Sequence, residues 1–139
     1  MPTNFTPGPT QPADSAPLFA GEALLDAEKL DCYRLAVEFQ ALATRLVPRR
    51  NQAVLRDQLD RASVSIVLNT AEGAGRVSPA DKARFYAMAR GSATECAAVL
   101  DLLWARGLVD PALRNRARSL LVRIVQMLGR LGASMLRSQ

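Results

Sequence analysis

The chain has 139 residues, enough for one domain with its own hydrophobic core, and it carries a net charge of +5. It contains no histidine, the residue that acts most often as a general base and as a metal ligand, so histidine-dependent catalytic triads and histidine-rich metal sites are excluded. The two cysteines, Cys32 and Cys96, have neither the spacing of a metal site nor the density of a disulfide scaffold, which predicts buried free thiols and a cytoplasmic protein.

Residues 1–25 contain five of the eight prolines of the chain. They lack the basic start and apolar core of a signal peptide, so their composition predicts a disordered tail. The remaining residues, 26–139, are expected to form one domain. No run approaches the roughly 18 consecutive apolar residues of a membrane span, so no membrane partner is expected.

The three prolines outside the tail, Pro48, Pro79 and Pro111, divide residues 26–139 into four segments with apolar residues at helical spacing. These segments predict helices over about 26–47, 52–72, 79–106 and from 111 onward. Ser78 before Pro79 and Asp110 before Pro111 have the order of an N-cap followed by a proline in the first turn. Four helices of roughly 20 to 28 residues with short connections predict an all-α, up-down-up-down antiparallel four-helix bundle.

The second predicted helix carries more apolar surface than one bundle core requires. Val64, Leu68 and Ala71 fall nearly opposite its core-facing residues. Because a soluble monomer rarely leaves such a strip in water, these residues predict an interface with another copy of the chain.

The stretch EGAGRVS, residues 72–78, has two glycines close together and raises the question of a phosphate-binding loop. It lacks the third glycine of a dinucleotide-binding loop and the lysine of a Walker loop, and it follows a predicted helix rather than a strand. A nucleotide-binding loop is therefore disfavoured, and the stretch is interpreted as the joint between the second and third helices.

A longer pattern surrounds this joint. Its residues are Gln58, Leu59, Arg61, Ala62, Ser65, Ile66, Asn69, Ala71, Glu72, Gly73, Gly75, Arg76, Ser78, Asp81, Arg84, Phe85, Ala89, Gly91, Ser92 and Glu95. In this order and spacing they closely resemble the four-helix bundle proteins encoded in intervening sequences of bacterial 23S ribosomal RNA genes. The resemblance implies a small bundle that assembles as a homopentameric ring. It also implies kinship with the accessory protein of diversity-generating retroelements, which associates with a reverse transcriptase and nucleic acid.

The residues of this pattern are interpreted as structural. Asn69 and Glu72 are expected to end the second helix, Gly73 and Gly75 to adopt backbone angles that other residues resist, and Ser78 to cap the third helix. Arg76 or Arg84 is expected to pair with Glu72 or Asp81 across the joint. An alternative gives Arg76 a ligand-binding role at the start of the third helix, where free N–H groups favour anions.

The last predicted helix carries six arginines and no acidic residue. Arg116, Arg123, Arg130 and Arg137 are spaced by seven and share one face, and Arg114 and Arg118 flank them. This pattern predicts binding of a polyanion, with Arg49 and Arg50 as further contacts. The alternatives are a solvated charged face, or pairing of these arginines with Asp57 and Asp60 of a neighbouring subunit.

Three functions follow in order of preference. The first is a non-enzymatic oligomeric bundle that binds structured RNA or DNA through the arginines. The second is an adaptor for a partner protein such as a reverse transcriptase. The third, an enzyme, is disfavoured because the sequence offers no carboxylate pair, no nucleophile with a base and no metal cluster at useful spacing, and no cofactor is expected.

Overall fold

The computed structural model describes residues 18–139, and this part of the chain is all-helical without strands. A short 3-10 helix, Ala27–Lys29, precedes four α-helices. These are α1 (Asp31–Ala43), α2 (Ala53–Gly75), α3 (Pro79–Ala105) and α4 (Pro111–Arg137). The all-α class and the four helices are therefore confirmed for residues 18–139. The tail predicted over residues 1–25 lies largely outside the described residues, because the description begins at Leu18.

Proline, glycine and capping side chains determine where α3 begins and ends and where α4 begins. The Ser78 hydroxyl accepts a hydrogen bond from the Asp81 N–H at 3.1 Å, and the Asp110 carboxylate accepts one from the Leu113 N–H at 3.1 Å. In each case the next residue is the proline that begins the helix. Beyond α3, Gly107 has a φ of +68°, a left-handed conformation that stops a helix at little cost for glycine.

The first helix is shorter than its apolar pattern predicts. Instead of covering residues 26–47, α1 has 13 residues, and Leu30 before it has an extended backbone with φ −85° and ψ 127°. After Ala43 the chain turns, yet Leu46 and Val47 are still buried. The periodic apolar pattern continued past the helix because these turn residues also pack on the core. Hydrophobic spacing reports burial, and here burial extends beyond the helix.

The four helices enclose one aliphatic core. α2 packs on α3, α3 packs on α4, and α1 packs on both α2 and α4. Each helix contributes fully buried side chains, among them Phe39, Leu59, Ile66, Cys96, Leu103, Ile124 and Leu128. α3 has buried residues on two sides, among them Ala89, Ala93 and Leu100, because this helix lies between two neighbours.

Contacts at the helix ends show which termini lie together. The Arg106 side chain at the end of α3 donates a hydrogen bond to the Gln52 side chain just before α2, at 3.3 Å. At the other end of the pair, Lys82 in the first turn of α3 donates to the carbonyl of Ala74 in the last turn of α2, at 2.8 Å. The start of α2 therefore lies beside the end of α3, and α4 begins only five residues beyond Arg106. Consequently α2 and α4 begin at the same end of the molecule.

α4 is the one helix of residues 18–139 that is long and apolar enough, by length and composition, to cross a membrane. Its buried residues lie on one side, toward α1 and α3. They are Ala117, Leu120, Leu121, Ile124 and Leu128. Arginines recur on the other side at seven-residue steps. This one-sided distribution is that of a helix in a bundle.

Candidate binding surfaces

The arginines of α4 lie along two different edges of the helix. On one edge the Arg116 guanidinium approaches the Glu38 carboxylate of α1, with an N to O distance of 3.6 Å, and Arg130 lines a groove with Asp31 of α1. We call this side the α1 edge. Since residues seven apart nearly superimpose on a helix, it also carries Arg123 and Arg137. The α1 edge therefore consists of Arg116, Arg123, Arg130 and Arg137.

The other two arginines belong to what we call the α3 edge. The Arg114 guanidinium carbon lies 5.1 Å from the ring centroid of Trp104, near the end of α3. Arg118, one turn later, lines a groove with Ala97 of α3. The sequence places all six arginines on or beside one face, but the structure separates Arg114 and Arg118 from the other four. The two sets therefore lie on different sides of α4.

Three arginines of the α1 edge are free to meet a partner. Arg123, Arg130 and Arg137 are exposed, and the ion pairs formed within residues 18–139 include none of them. The groove beside Arg130 has a volume of about 390 Å³ and is open to solvent. Arg116 has Glu38 as a partner, but both side chains are partly exposed, and such a pair contributes at most about 1 kcal/mol. Arg116 can therefore exchange its partner for a ligand at low cost.

On the α3 edge, Arg114 has a partly structural role. Its Nε is buried and has no hydrogen-bond partner among the described residues, and one terminal nitrogen donates to the Asn115 side chain at 3.3 Å. Trp104, against which it stacks, is still 46% exposed. A large aromatic ring and a partly unsatisfied guanidinium thus lie together at the surface.

Arg49 and Arg50 are exposed in the loop before α2, away from both edges in sequence. This loop contains Asn51 with a φ of +60°. Arg56 of α2 holds the loop by donating to the Pro48 carbonyl at 2.9 Å. The structure therefore presents Arg49 and Arg50 at one end of the molecule.

The predicted role of the two glycines at the α2–α3 joint is wrong. Gly73 and Gly75 are both helical residues of α2, and neither has a positive φ. Gly73 instead makes room for a neighbour: a β-carbon there would lie 2.7 Å from Cε1 and 2.8 Å from Cδ1 of Tyr86. At Gly75 a β-carbon would meet nothing within 4 Å. Only Gly73 is required by packing.

The predicted role of Asn69 is also wrong. This residue lies six positions before the end of α2 and does not terminate the helix. Its side-chain amide donates to the Ser65 carbonyl at 3.0 Å and to the Ser65 hydroxyl at 2.9 Å. The Ser65 hydroxyl in turn lies 2.8 Å from the Ser92 hydroxyl of α3. Asn69 therefore belongs to a polar link between two helices, because its side chain has a partner in the adjacent turn and α3 is close.

Arg76 and Arg84 pair with acidic residues on their own side of the joint. Arg76 contacts Glu72, and Arg84 lies 3.7 Å from Asp81. The connection across the joint is made through Phe85, since both guanidinium carbons lie 4.6 Å from the centroid of its ring. Sequence reasoning missed this arrangement because it treated Phe85 only as one residue of the family pattern. With Glu72 and Phe85 as partners, the Arg76 guanidinium favours the structural interpretation over ligand binding.

The family model described as 23S rRNA-intervening sequence protein matches residues 28–130. The chain belongs to this family. The match spans α1, α2, α3 and most of α4, including the α2–α3 joint. It confirms the resemblance seen in the sequence. No curated protein matches the chain.

The matched residues of this 23S rRNA-intervening sequence protein include three arginines of the α1 edge, Arg116, Arg123 and Arg130. They also include both arginines of the α3 edge. Arg137 and the proline-rich residues before the 3-10 helix lie outside the match.

The apolar residues predicted to contact another subunit are at the surface of this family member. Leu68 is 62% exposed and Val64 is 36% exposed, while Ala71 is half-buried. Val64 and Leu68 line a shallow apolar groove with Val37 of α1. The strip is therefore available for contact along the outside of α2.

Among residues 18–139, the remaining reactive groups do not assemble into a site. Both thiols are buried, and burial raises the pKa of Cys32 and raises that of Cys96 to about 12. Such thiols stay protonated and are poor nucleophiles. In residues 18–139 no three side chains of the cysteine, aspartate or glutamate type are grouped so that they could hold a metal ion.

Proposed function

We propose that this 23S rRNA-intervening sequence protein is a non-enzymatic, cytoplasmic oligomer that binds structured RNA or DNA through the α1 edge of α4. One observation carries the proposal. Arg123, Arg130 and Arg137 are exposed and have no carboxylate partner within residues 18–139, on a helix that carries no acidic side chain.

The spacing of the α1 edge suits a phosphate backbone. Residues seven apart on an α-helix are about 10 Å apart along its axis, so the four arginines span about 30 Å. A row of exposed like charges raises the local concentration of polyanions and releases their counterions on binding. Since the protein has few aromatic residues for stacking, most of the affinity comes from phosphates, with little reading of bases.

The proposal extends to the assembly. The helix-end contacts support an up-down-up-down antiparallel bundle, because each connection returns the chain along its neighbour. The exposed strip with Val64 and Leu68 supports association of copies, as the homopentameric ring implied by the family resemblance would require. In a ring the α1 edge is repeated by symmetry, and the positive potentials add.

A salt titration with one matched pair of variants tests nucleic-acid binding. The affinity for a labelled RNA stem-loop is expected to fall steeply with salt. Arg123→Gln is expected to weaken binding and to lower the slope of log Kd against log salt by about 1 for each replaced contact. Arg61→Gln, which removes an exposed charge of α2, is expected to leave the slope nearly unchanged. Absence of binding at low salt, or an affinity that salt does not change, would refute the proposal.

A second candidate is an adaptor that docks a partner protein such as a reverse transcriptase. It is favoured by apolar side chains at the surface that no neighbour covers, above all Val77, which is 95% exposed in the α2–α3 joint. A protein that does not bind RNA or DNA at low salt, yet co-elutes with a reverse transcriptase encoded beside it, would favour this candidate.

A further inference from the structure

Two surfaces on different sides of the bundle share a pattern of charge and apolarity. The first is the α2 strip, formed by Asp57, Asp60, Val64 and Leu68. Its two acidic residues come first in the helix, and its two apolar residues follow. All four are exposed, and no ion pair within residues 18–139 uses Asp60. Asp57 has only a marginal partner, Arg61, at 3.9 Å.

The second surface consists of Arg114, Arg118, Val122 and Val125 along α4, and the last three of these residues line the α3/α4 groove. The groove has a volume of about 300 Å³ and is also lined by Ala97 of α3. Val122 is 40% exposed. Here two basic residues come first in the helix and two apolar residues follow. The groove is therefore complementary in charge to the α2 strip and similar to it in the order of residue types.

The spacing of the two sets agrees. Asp60 and Val64 are four residues apart, as are Arg118 and Val122. Leu68 follows Val64 by four, and Val125 follows Val122 by three. When α2 of one copy is laid parallel to α4 of another, Asp57 comes opposite Arg114, Asp60 opposite Arg118, and the apolar residues opposite one another. This pairing satisfies charges and buries apolar side chains along about three helical turns.

The α2 strip and the α3/α4 groove also lie at similar positions along the length of the bundle. Since α2 and α4 begin at the same end of the molecule, the parallel pairing needs little sliding of one copy along the other. α2 and α4 also stand diagonally in the bundle, because each packs on α1 and on α3. A contact between two different surfaces joins copies head to tail, and it generates a ring where the rotation between neighbouring copies closes.

We infer that the α2 strip of one subunit occupies the α3/α4 groove of a second copy of this chain. The inference rests on the oligomer in the proposed function and names its contact surfaces. Pairing of the strip with itself is disfavoured, because an antiparallel pair of strips puts Asp57 against Leu68 and leaves the carboxylates without cations. The contact also gives the Arg114 guanidinium, which lies against the exposed Trp104 ring, a carboxylate partner in Asp57. Arg114 and Arg118 then hold the subunits together, which leaves the α1 edge for nucleic acid.

Charge reversal with rescue tests this contact. Asp60→Arg and Arg118→Asp each put like charges at every subunit contact, so each single variant is expected to lose assembly and to approach the one-subunit mass of 15.0 kDa. The double variant restores opposite charges and is expected to regain the wild-type mass. Both positions are exposed in the subunit, so the fold should tolerate the changes, and circular dichroism checks that it does. Glu95→Arg is the control. It makes the same change of charge as Asp60→Arg at an exposed position of α3 outside both surfaces, and it is expected to keep the wild-type mass.

The possible outcomes separate the two proposals. A wild-type protein with the mass of one subunit overturns the oligomer and this contact together. A wild-type oligomer whose single variants keep its mass overturns only this contact, and single variants that dissociate without rescue in the double variant overturn the pairing of Asp60 with Arg118. RNA binding by the wild type is measured separately and decides only the role of the α1 edge.

Discussion

At Gly73 the ring of Tyr86 occupies the space that a β-carbon would need. Tyr86 and Gly73 are both buried, so neither the ring nor the α2 backbone can move into solvent to make room. The hydrogen atom of glycine lets α2 and α3 approach at the joint, and Phe85, which stacks with Arg76 and Arg84, is the residue before Tyr86 in α3. Because Gly73 has no β-carbon, α2 and α3 can pack closely at the joint, where the family pattern is densest.

This contact predicts different effects at two neighbouring glycines. Gly73→Ala is expected to lower the free energy of unfolding by about 1 to 3 kcal/mol, because the added methyl group overpacks a buried contact. Gly75→Ala has open space and a helical backbone, so it is expected to have no effect or to stabilise by up to about 1 kcal/mol. Urea unfolding followed by circular dichroism, at one protein concentration, compares them. Equal effects of the two substitutions would contradict the role assigned to Gly73.

At the scale of the helix, α3 is fixed at its start by two side chains, Ser78 at its N-cap and Lys82 in its first turn. Ser78 accepts a hydrogen bond from the first turn of α3, and Lys82 of α3 donates to the last carbonyls of α2 at 2.8 and 3.4 Å. The end of one helix and the beginning of the next are thereby satisfied together. The joint is short and well bonded, which suits an architectural role.

The cap of α3 predicts a measurable loss of stability. Ser78→Ala is expected to cost about 1 kcal/mol, because an N–H in the first turn loses its acceptor, whereas Ser78→Asp keeps an acceptor and is expected to retain most of the stability. Thermal unfolding measures both. Ser119→Ala is a suitable control, since that side chain is exposed and makes no hydrogen bond within the described residues. A loss at Ser119 as large as that at Ser78 would show that the cap is not responsible.

At the scale of the whole molecule, the charge and the exposed apolar area differ from one helix to another. The core is nearly free of ionisable groups, apart from two thiols and the Tyr86 hydroxyl, and burial raises the pKa of each. Outside it, α4 carries basic residues on both edges, and the α2 strip carries acidic and apolar ones. The molecule therefore has distinct surfaces on different sides of one bundle, and different partners can use them.

The buried thiol of Cys96 predicts how stability depends on pH. Its pKa is about 12 in the folded protein, and the ordinary pKa of a thiol is about 8.5. Between these values the unfolded chain loses the proton and the folded chain keeps it, so stability is full below about pH 8.5 and falls as the pH rises toward 12. The advantage of the wild type over Cys96→Ala is expected to shrink by roughly 1 kcal/mol per pH unit in this window. Urea unfolding at several pH values tests this, and a constant difference would contradict it.

The sequence predicts the outline of the fold well and its finer contacts poorly. Pro79, Pro111 and Gly107 mark helix ends because their backbones have restricted or unusual geometry, which is visible in the sequence alone. The bounds of α1 are not predictable in this way, because Leu46 and Val47 are buried outside the helix and continue its apolar pattern.

For the candidate surfaces, the sequence predicts which residues are arginines but not which helix each one faces. Arg114 and Arg116 are only two residues apart in sequence, but they are about 200° apart around the helix. One therefore faces α3 and the other faces α1. Only the packing of α4 between its two neighbours decides the assignment. The cation–π contacts of Phe85 were missed for a similar reason, since Arg76 reaches the ring from the preceding helix.

Trp104 is the single tryptophan of the chain, and it lies half-exposed against Arg114 near the end of α3. All indole fluorescence of this protein therefore originates from one corner of each subunit. Trp104 is therefore a native fluorescent reporter at the place where we expect one copy to meet the next. Its emission reports the burial of that corner on assembly, without an attached dye.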